Sequence, residues 1–129
     1  MQKNFTQWNN KKISIHGTKS VPFFHEREIW FCSLGVNIGF EQDGQGADFQ
    51  RPVVIIKKFN NDICWVVPLS KTKRRGKYYF AFPFNSETTS VALLSQIKLL
   101  DAHRFSRKIG SVNEENFRNI IEKLKELFP

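Results

Sequence analysis

Apolar residues fall in short runs separated by polar and glycine-rich stretches, and most runs have the β-branched and aromatic content of strands. Ile29-Trp30-Phe31-Cys32-Ser33-Leu34 stops at Gly35 and predicts a first strand over 28–34. Pro52 opens the continuous run Val53-Val54-Ile55-Ile56-Lys57. Asn60-Asn61-Asp62 then supplies a turn into Ile63-Cys64-Trp65-Val66-Val67-Pro68-Leu69-Ser70, so these two runs predict a hairpin. Residues 78–82, 89–94 and 96–100 read as three more strands, and strands at this short, regular spacing suggest a small barrel. Near the C-terminus Asn113 can cap a helix whose positive end suits Glu114 and Glu115. Phe117, Ile120, Ile121, Leu124, Leu127 and Phe128 follow at helical spacing over about four turns. At the other end Phe5, Trp8 and Lys12 share one face of a short helix over 4–13, and 17–22 reads as a linker. Between the first strand and the hairpin, Gly35, Gly39, Gly44 and Gly46 mark a long loop over 35–50, a length that often carries function.

Composition limits what such a chain can be. With 129 residues, 40% hydrophobic and 25% charged, it has the balance of one globular domain with a single core. Its apolar runs are far shorter than the roughly 18 residues needed to span a bilayer, and its first residues lack the apolar stretch of a secretory signal. A cytoplasmic protein with no membrane partner is expected. Cys32 and Cys64 have no C-x-x-C spacing and no second pair, so they read as reduced core residues and not as zinc ligands.

Charge changes the picture locally. The net +8 is concentrated in 51–80, where eight Lys/Arg face one acid, Asp62. Lys71, Lys73, Arg74, Arg75 and Lys77 crowd one loop directly before Tyr78-Tyr79-Phe80. Cations attract phosphates and rings offer stacking platforms to unpaired bases, which suits a nucleic-acid surface; the alternative is a merely solvated loop before an ordinary strand.

The usual catalytic signatures are missing: no phosphate-binding glycine loop, no H-E-x-x-H and no G-x-S-x-G. His16, His25 and His103 are isolated, and neither a metal nor a cofactor is expected. One pairing is chemically suggestive. Counting from a turn centred on Asn60-Asn61 sets Arg51 opposite Ser70, at the sheet end beside the basic loop. A fixed guanidinium and a hydroxyl could stabilise the charge that grows on phosphorus-bound oxygens when a 2′-hydroxyl attacks its own phosphate. The alternative is an Arg51 tied up by Glu41 or Asp48.

The order of these motifs resembles the PemK/MazF family of toxins from type II toxin–antitoxin pairs. Glu28-Ile29-Trp30 is similar to its first strand, Gly39-Phe40-Glu41-Gln42 to its glycine-x-glutamate loop, and Arg51-Pro52-Val53 to its arginine-proline strand. Val67-Pro68-Leu69-Ser70, the 90–98 segment and Leu100-Asp101 with Arg104 and Lys108-Ile109-Gly110 follow in the family's order. The resemblance implies a mainly β fold with α, a small SH3-like barrel (CcdB/PemK-type) with a C-terminal helix. It divides the chain into an N-terminal helical extension over 1–26 and a barrel domain over 27–129. It further implies a homodimer, a cognate antitoxin and a sequence-specific, metal-independent endoribonuclease acting on single-stranded RNA. Arg51 and Ser70 take the catalytic positions. Glu41, Gln42, Gln96, Lys98 and the five basic-loop residues Lys71, Lys73, Arg74, Arg75 and Lys77 become candidate substrate contacts.

Three features depart from the pattern: a longer loop over 43–50, Lys98 where arginine is common, and the first 20 residues, in which Phe5 and Trp8 are placed to cap the barrel or a dimer. Two other functions fit the same barrel, a non-catalytic RNA-binding module and a CcdB-like gyrase poison.

Overall fold

A computed structural model describes residues 2–129. Helix α1 (Phe5–His16) leads into strands β1 (Glu28–Ser33), β2 (Gln50–Lys58), β3 (Ile63–Ser70), β4 (Tyr79–Pro83), β5 (Thr89–Leu93), β6 (Lys98–Asp101) and β7 (Phe105–Ser111), and helix α2 (Glu114–Glu126) follows. The sheet is antiparallel in the order β4-β5-β3-β2-β1-β7, with β6 also paired to β3. On one edge, β3 meets β6 through residues 63–66 and β5 through Leu69 and Ser70. A short 3-10 turn, Leu94–Gln96, joins those two partners, so one bent segment wraps β3 and curls the sheet into the small SH3-like barrel.

Alternation decides where the core sits. Successive side chains on a strand point to opposite faces, and here both faces of the central strands are buried. Trp30, Cys32, Val53, Ile55, Cys64 and Val66 face one cluster, closed by Phe24 and Phe105. Ile29, Val54, Ile56, Val67 and Leu69 face the other, closed by Ile120 and Leu124 of α2. A strand covered on both sides needs no polar positions, which is why 53–56 reads as an unbroken apolar run. The Asn113 side chain accepts the Asn116 N–H at 2.7 Å and caps α2 as expected, although Phe128 is left exposed.

The hairpin turn is an Asx turn in which Asn60 Oδ1 accepts the amides of Asp62 at 2.8 Å and Ile63 at 2.9 Å. Its closing pair, Phe59 with Ile63, centres it on Asn61. A one-residue irregularity between Ile55 and Lys57 then restores the register that pairs Val53 with Pro68, and the same register carried two residues further would set Arg51 across from Ser70.

Two elements differ from the expectation. Strand β7 is a seventh strand where six were expected. Only Phe105 of it is buried, and its pairing with β1 shifts register twice, so its side chains carry no alternation. Helix α1 runs three residues further than 4–13, to His16. Of the two aromatics on its face Trp8 is buried, packing at 5.5 Å from the Phe49 ring, while Phe5 is half exposed.

Cys32 and Cys64 are free and buried, and burial pushes both thiols up to about 12. Because the thiolate is the reactive form, neither should label with a maleimide at pH 7.5 in the folded protein, and both should label at once in denaturant. Rapid labelling of the native chain would contradict this burial.

Candidate active site

Arg51 enters the site from the first residues of β2, half-buried, with its guanidinium held from three directions. Nε donates to the carbonyl of Asp43 at 2.6 Å and Nη1 to that of Leu69 at 3.0 Å. With its carbonyl turned toward the guanidinium, the Gln42 side chain accepts from Nη2 at 2.8 Å. These contacts use three of five N–H groups and leave one on each terminal nitrogen. Neither Glu41 nor Asp48 takes the cation: Glu41 accepts the Ile38 amide at 3.1 Å, and Asp48 pairs with Lys11 at 3.1 Å. Among the described residues no carboxylate forms an ion pair with Arg51. Burial lowers its pKa from the ordinary arginine value, Asp43 opposes that shift and Arg74 adds to it. An arginine lowered from such a height still carries its charge.

Ser70 ends β3. Its Oγ accepts the Thr72 amide at 3.1 Å, which fixes a lone pair and leaves its O–H available to donate. The 37–43 loop is tied to the barrel by Gln96, whose Oε1 accepts the Gln42 amide at 3.3 Å while its Nε2 donates to the Phe40 carbonyl at 3.3 Å. Gln42 and Gln96 therefore meet at Arg51's loop. Lys98 sits apart on β6, half-buried; burial, then Arg104, lowers its pKa, and Cys32 and Glu41 oppose that shift. No hydrogen bond or ion pair among the described residues joins it to Arg51.

The basic loop adds a second region. Lys71, Lys73, Arg74 and Arg75 line an open depression of about 590 Å³ with Ala81, Thr89 and Val91 of β4 and β5 on its floor. Arg74 lies 5.8 Å from the Tyr79 ring centre and Lys77 lies 5.2 Å from that of exposed Tyr78. Cations and rings thus alternate along this edge.

The family model described as "PemK-like, MazF-like toxin of type II toxin-antitoxin system" matches residues 25–128. The chain belongs to that family. Solved structures of PemK/MazF proteins share its fold at low identity. MazF of Deinococcus radiodurans superposes with a TM-score of 0.64 at 15% identity, over 84% of this chain and 97% of that one. Mycobacterium tuberculosis toxin MazF-mt6 gives 0.61 at 18% identity, over 79% and 96%. A mycobacterial endoribonuclease in complex with its cognate antitoxin gives 0.61 at 17%, over 84% and 97%. No curated protein gives a significant match.

Within this PemK/MazF chain, the contacts that sequence reading missed are backbone carbonyls, those of Asp43 and Leu69, which every residue type possesses. Lys3 was missed too. It stands outside the matched segment, and its partners lie 34 to 40 positions away. Arg104 also went unassigned as a contact, though it donates to the Ser33 carbonyl at 3.1 Å and lies 5.6 Å from the Trp8 ring centre.

Proposed function

We propose that this chain is the toxin of a toxin–antitoxin pair acting as a metal-independent endoribonuclease on single-stranded RNA, with a cognate antitoxin as its inhibitor and a homodimer as its working form. The observation that carries this reading is the half-buried Arg51 guanidinium, held by three uncharged acceptors and, among the described residues, without a carboxylate ion-pair partner. A buried cation is costly unless something anionic meets it, and a phosphate matches the two N–H groups left on its terminal nitrogens.

In the proposed reaction the 2′-hydroxyl oxygen bonds to the adjacent phosphorus as its proton leaves. The bond from phosphorus to O5′ then breaks as O5′ takes up a proton from solvent water, giving a 2′,3′-cyclic phosphate and a 5′-hydroxyl. Arg51 stabilises the charge on the non-bridging oxygens, and Ser70 donates a hydrogen bond to the same group. Because the guanidinium supplies the positive charge, the chemistry has no step that needs a metal. Gln42, Gln96 and Glu41 shape the cleft through the 37–43 loop. Lys71, Lys73, Arg74, Arg75 and Lys77 draw in the RNA backbone, and Lys98 extends the positive field. Residues 27–129 form the catalytic unit in this reading, with 1–26 as its extension.

The test is a long single-stranded RNA incubated with the purified protein in EDTA, with fragment ends analysed chemically. Discrete cuts ending in cyclic phosphate are expected. RNA that is bound but left intact would replace this reading with a non-catalytic RNA-binding module, and neither binding nor cutting would favour a gyrase poison.

A further inference from the structure

We propose that Lys3 is a positioning residue for the site: its ammonium organises the 37–43 loop, and that loop in turn holds Arg51. The inference rests on the endoribonuclease reading for its kinetic consequence, though its structural consequence stands alone.

Residues 37–43 belong to no strand, and Ile38, Gly39, Phe40 and Glu41 are all exposed. A loop without its own core keeps one shape only if polar anchors hold it. Lys3 supplies the anchor from another segment. Its Nζ donates to the carbonyls of Asn37 at 2.6 Å and Gly39 at 2.8 Å and pairs with Asp43 Oδ2 at 2.9 Å, so all three N–H groups find acceptors on one loop. The Lys3 side chain is 9% exposed, unlike an ordinary surface lysine. The Asp43 carboxylate also accepts the Asn37 amide at 2.6 Å, closing the loop at its neck.

Asp43 is the hinge of the argument. Its side chain answers Lys3 while its carbonyl accepts Arg51 Nε at 2.6 Å, and the adjacent Gln42 accepts from Arg51 Nη2. Lys3 therefore fixes the residues that fix the guanidinium. It also occupies the carboxylate whose charge acts most favourably on Arg51. Without Lys3 that carboxylate would be free to turn toward Arg51 and compete with a phosphate for it. The rest of the N-terminal segment is held to the same region. Trp8 packs against Phe49, and the Arg104 guanidinium lies over the Trp8 ring, 5.6 Å from its centre.

The experiment compares the full chain with Lys3→Met, which keeps the aliphatic stem, and with Lys11→Met, which removes only the exposed pair to Asp48. Hydrogen exchange is read over 37–43, and cleavage of a short RNA is followed by kcat and KM separately. In Lys3→Met, exchange at 37–43 is expected to quicken at least tenfold, with β2 and β3 unchanged and Tm within about 2 °C. kcat is expected to fall about tenfold, with KM changing less than threefold. Lys11→Met should leave both readouts as in the parent. Unchanged exchange at 37–43 in Lys3→Met, or equal acceleration in Lys11→Met, would overturn the inference. If the parent chain cuts no RNA, the endoribonuclease reading falls by itself, and exchange over 37–43 still decides whether Lys3 organises the loop.

Discussion

Arg51→Lys is expected to slow RNA cleavage by about 10²–10³-fold, the loss typical of removing a positioned donor to a developing oxyanion, while RNA affinity stays within a few-fold. The substitution keeps the charge, so a purely electrostatic role would survive it. What it removes is the fork. Arginine uses one N–H on the Asp43 carbonyl, one on the Leu69 carbonyl and one on Gln42, and still offers two more on different nitrogens. A lysine ammonium has three N–H groups at a single point. Meeting the same acceptors would exhaust them, and meeting a phosphate would abandon the acceptors. Affinity should persist because the basic loop, not Arg51, supplies most of the Coulomb attraction, and that share should weaken steeply as salt rises. Single-turnover cleavage at saturating protein, beside fluorescence anisotropy with a non-cleavable RNA, separates the two effects. An Arg51→Lys variant that cuts within threefold of the parent would show that charge alone suffices. A variant that fails to bind would assign Arg51 to affinity.

Much of the site was legible because it lies on a hairpin. Register in an antiparallel pair can be counted from the turn, so Arg51 and Ser70 could be set opposite one another from residue numbers alone. The count agrees with the register seen at Val53 and Pro68 through two departures that cancel: the turn centres on Asn61, and the irregularity after Ile55 takes up the extra residue. The barrel was legible for a related reason, since strands buried on both faces announce themselves as unbroken apolar runs. Strand β7 was not, because it is defined by backbone pairing to β1 and not by any pattern in its side chains. The partners of Arg51 were hidden for the same reason. Reading charges suggested Glu41 or Asp48, two acids of the preceding loop, but carbonyls and an amide do the holding. Lys3 illustrates the remaining gap: one ammonium joined to a loop 34 to 40 residues away has no local periodicity to reveal it.

Loop 35–49 gives the second large expectation, because its path depends on a glycine that nothing else could replace. A Cβ built on Gly44 would stand 1.7 Å from the Phe49 carbonyl oxygen and 2.2 Å from its carbon. Those are backbone atoms, and they cannot rotate away. The same carbonyl already accepts the amides of Leu34 at 2.9 Å and Gly35 at 3.1 Å, while the Gly44 amide donates to the Gly35 carbonyl at 2.7 Å. Gly44→Ala must therefore break this crossing or displace one of its strands of chain. Overpacking of this kind costs about 3 kcal/mol, and at this chain length that corresponds to a fall in Tm of roughly 10 °C. Gly46→Ala is the control: its φ of +77° makes alanine strained, but nothing lies within 4 Å of the new methyl. It should cost only about 1 kcal/mol, the penalty of a left-handed alanine. Since Asp43 precedes Gly44 and its carbonyl holds Arg51, Gly44→Ala should also cut cleavage in the fraction that remains folded, measured well below its melting temperature. Equal melting temperatures for the two variants would mean that the loop yields at Gly44 without resistance, and the tight crossing with Phe49 would then be no constraint on the site.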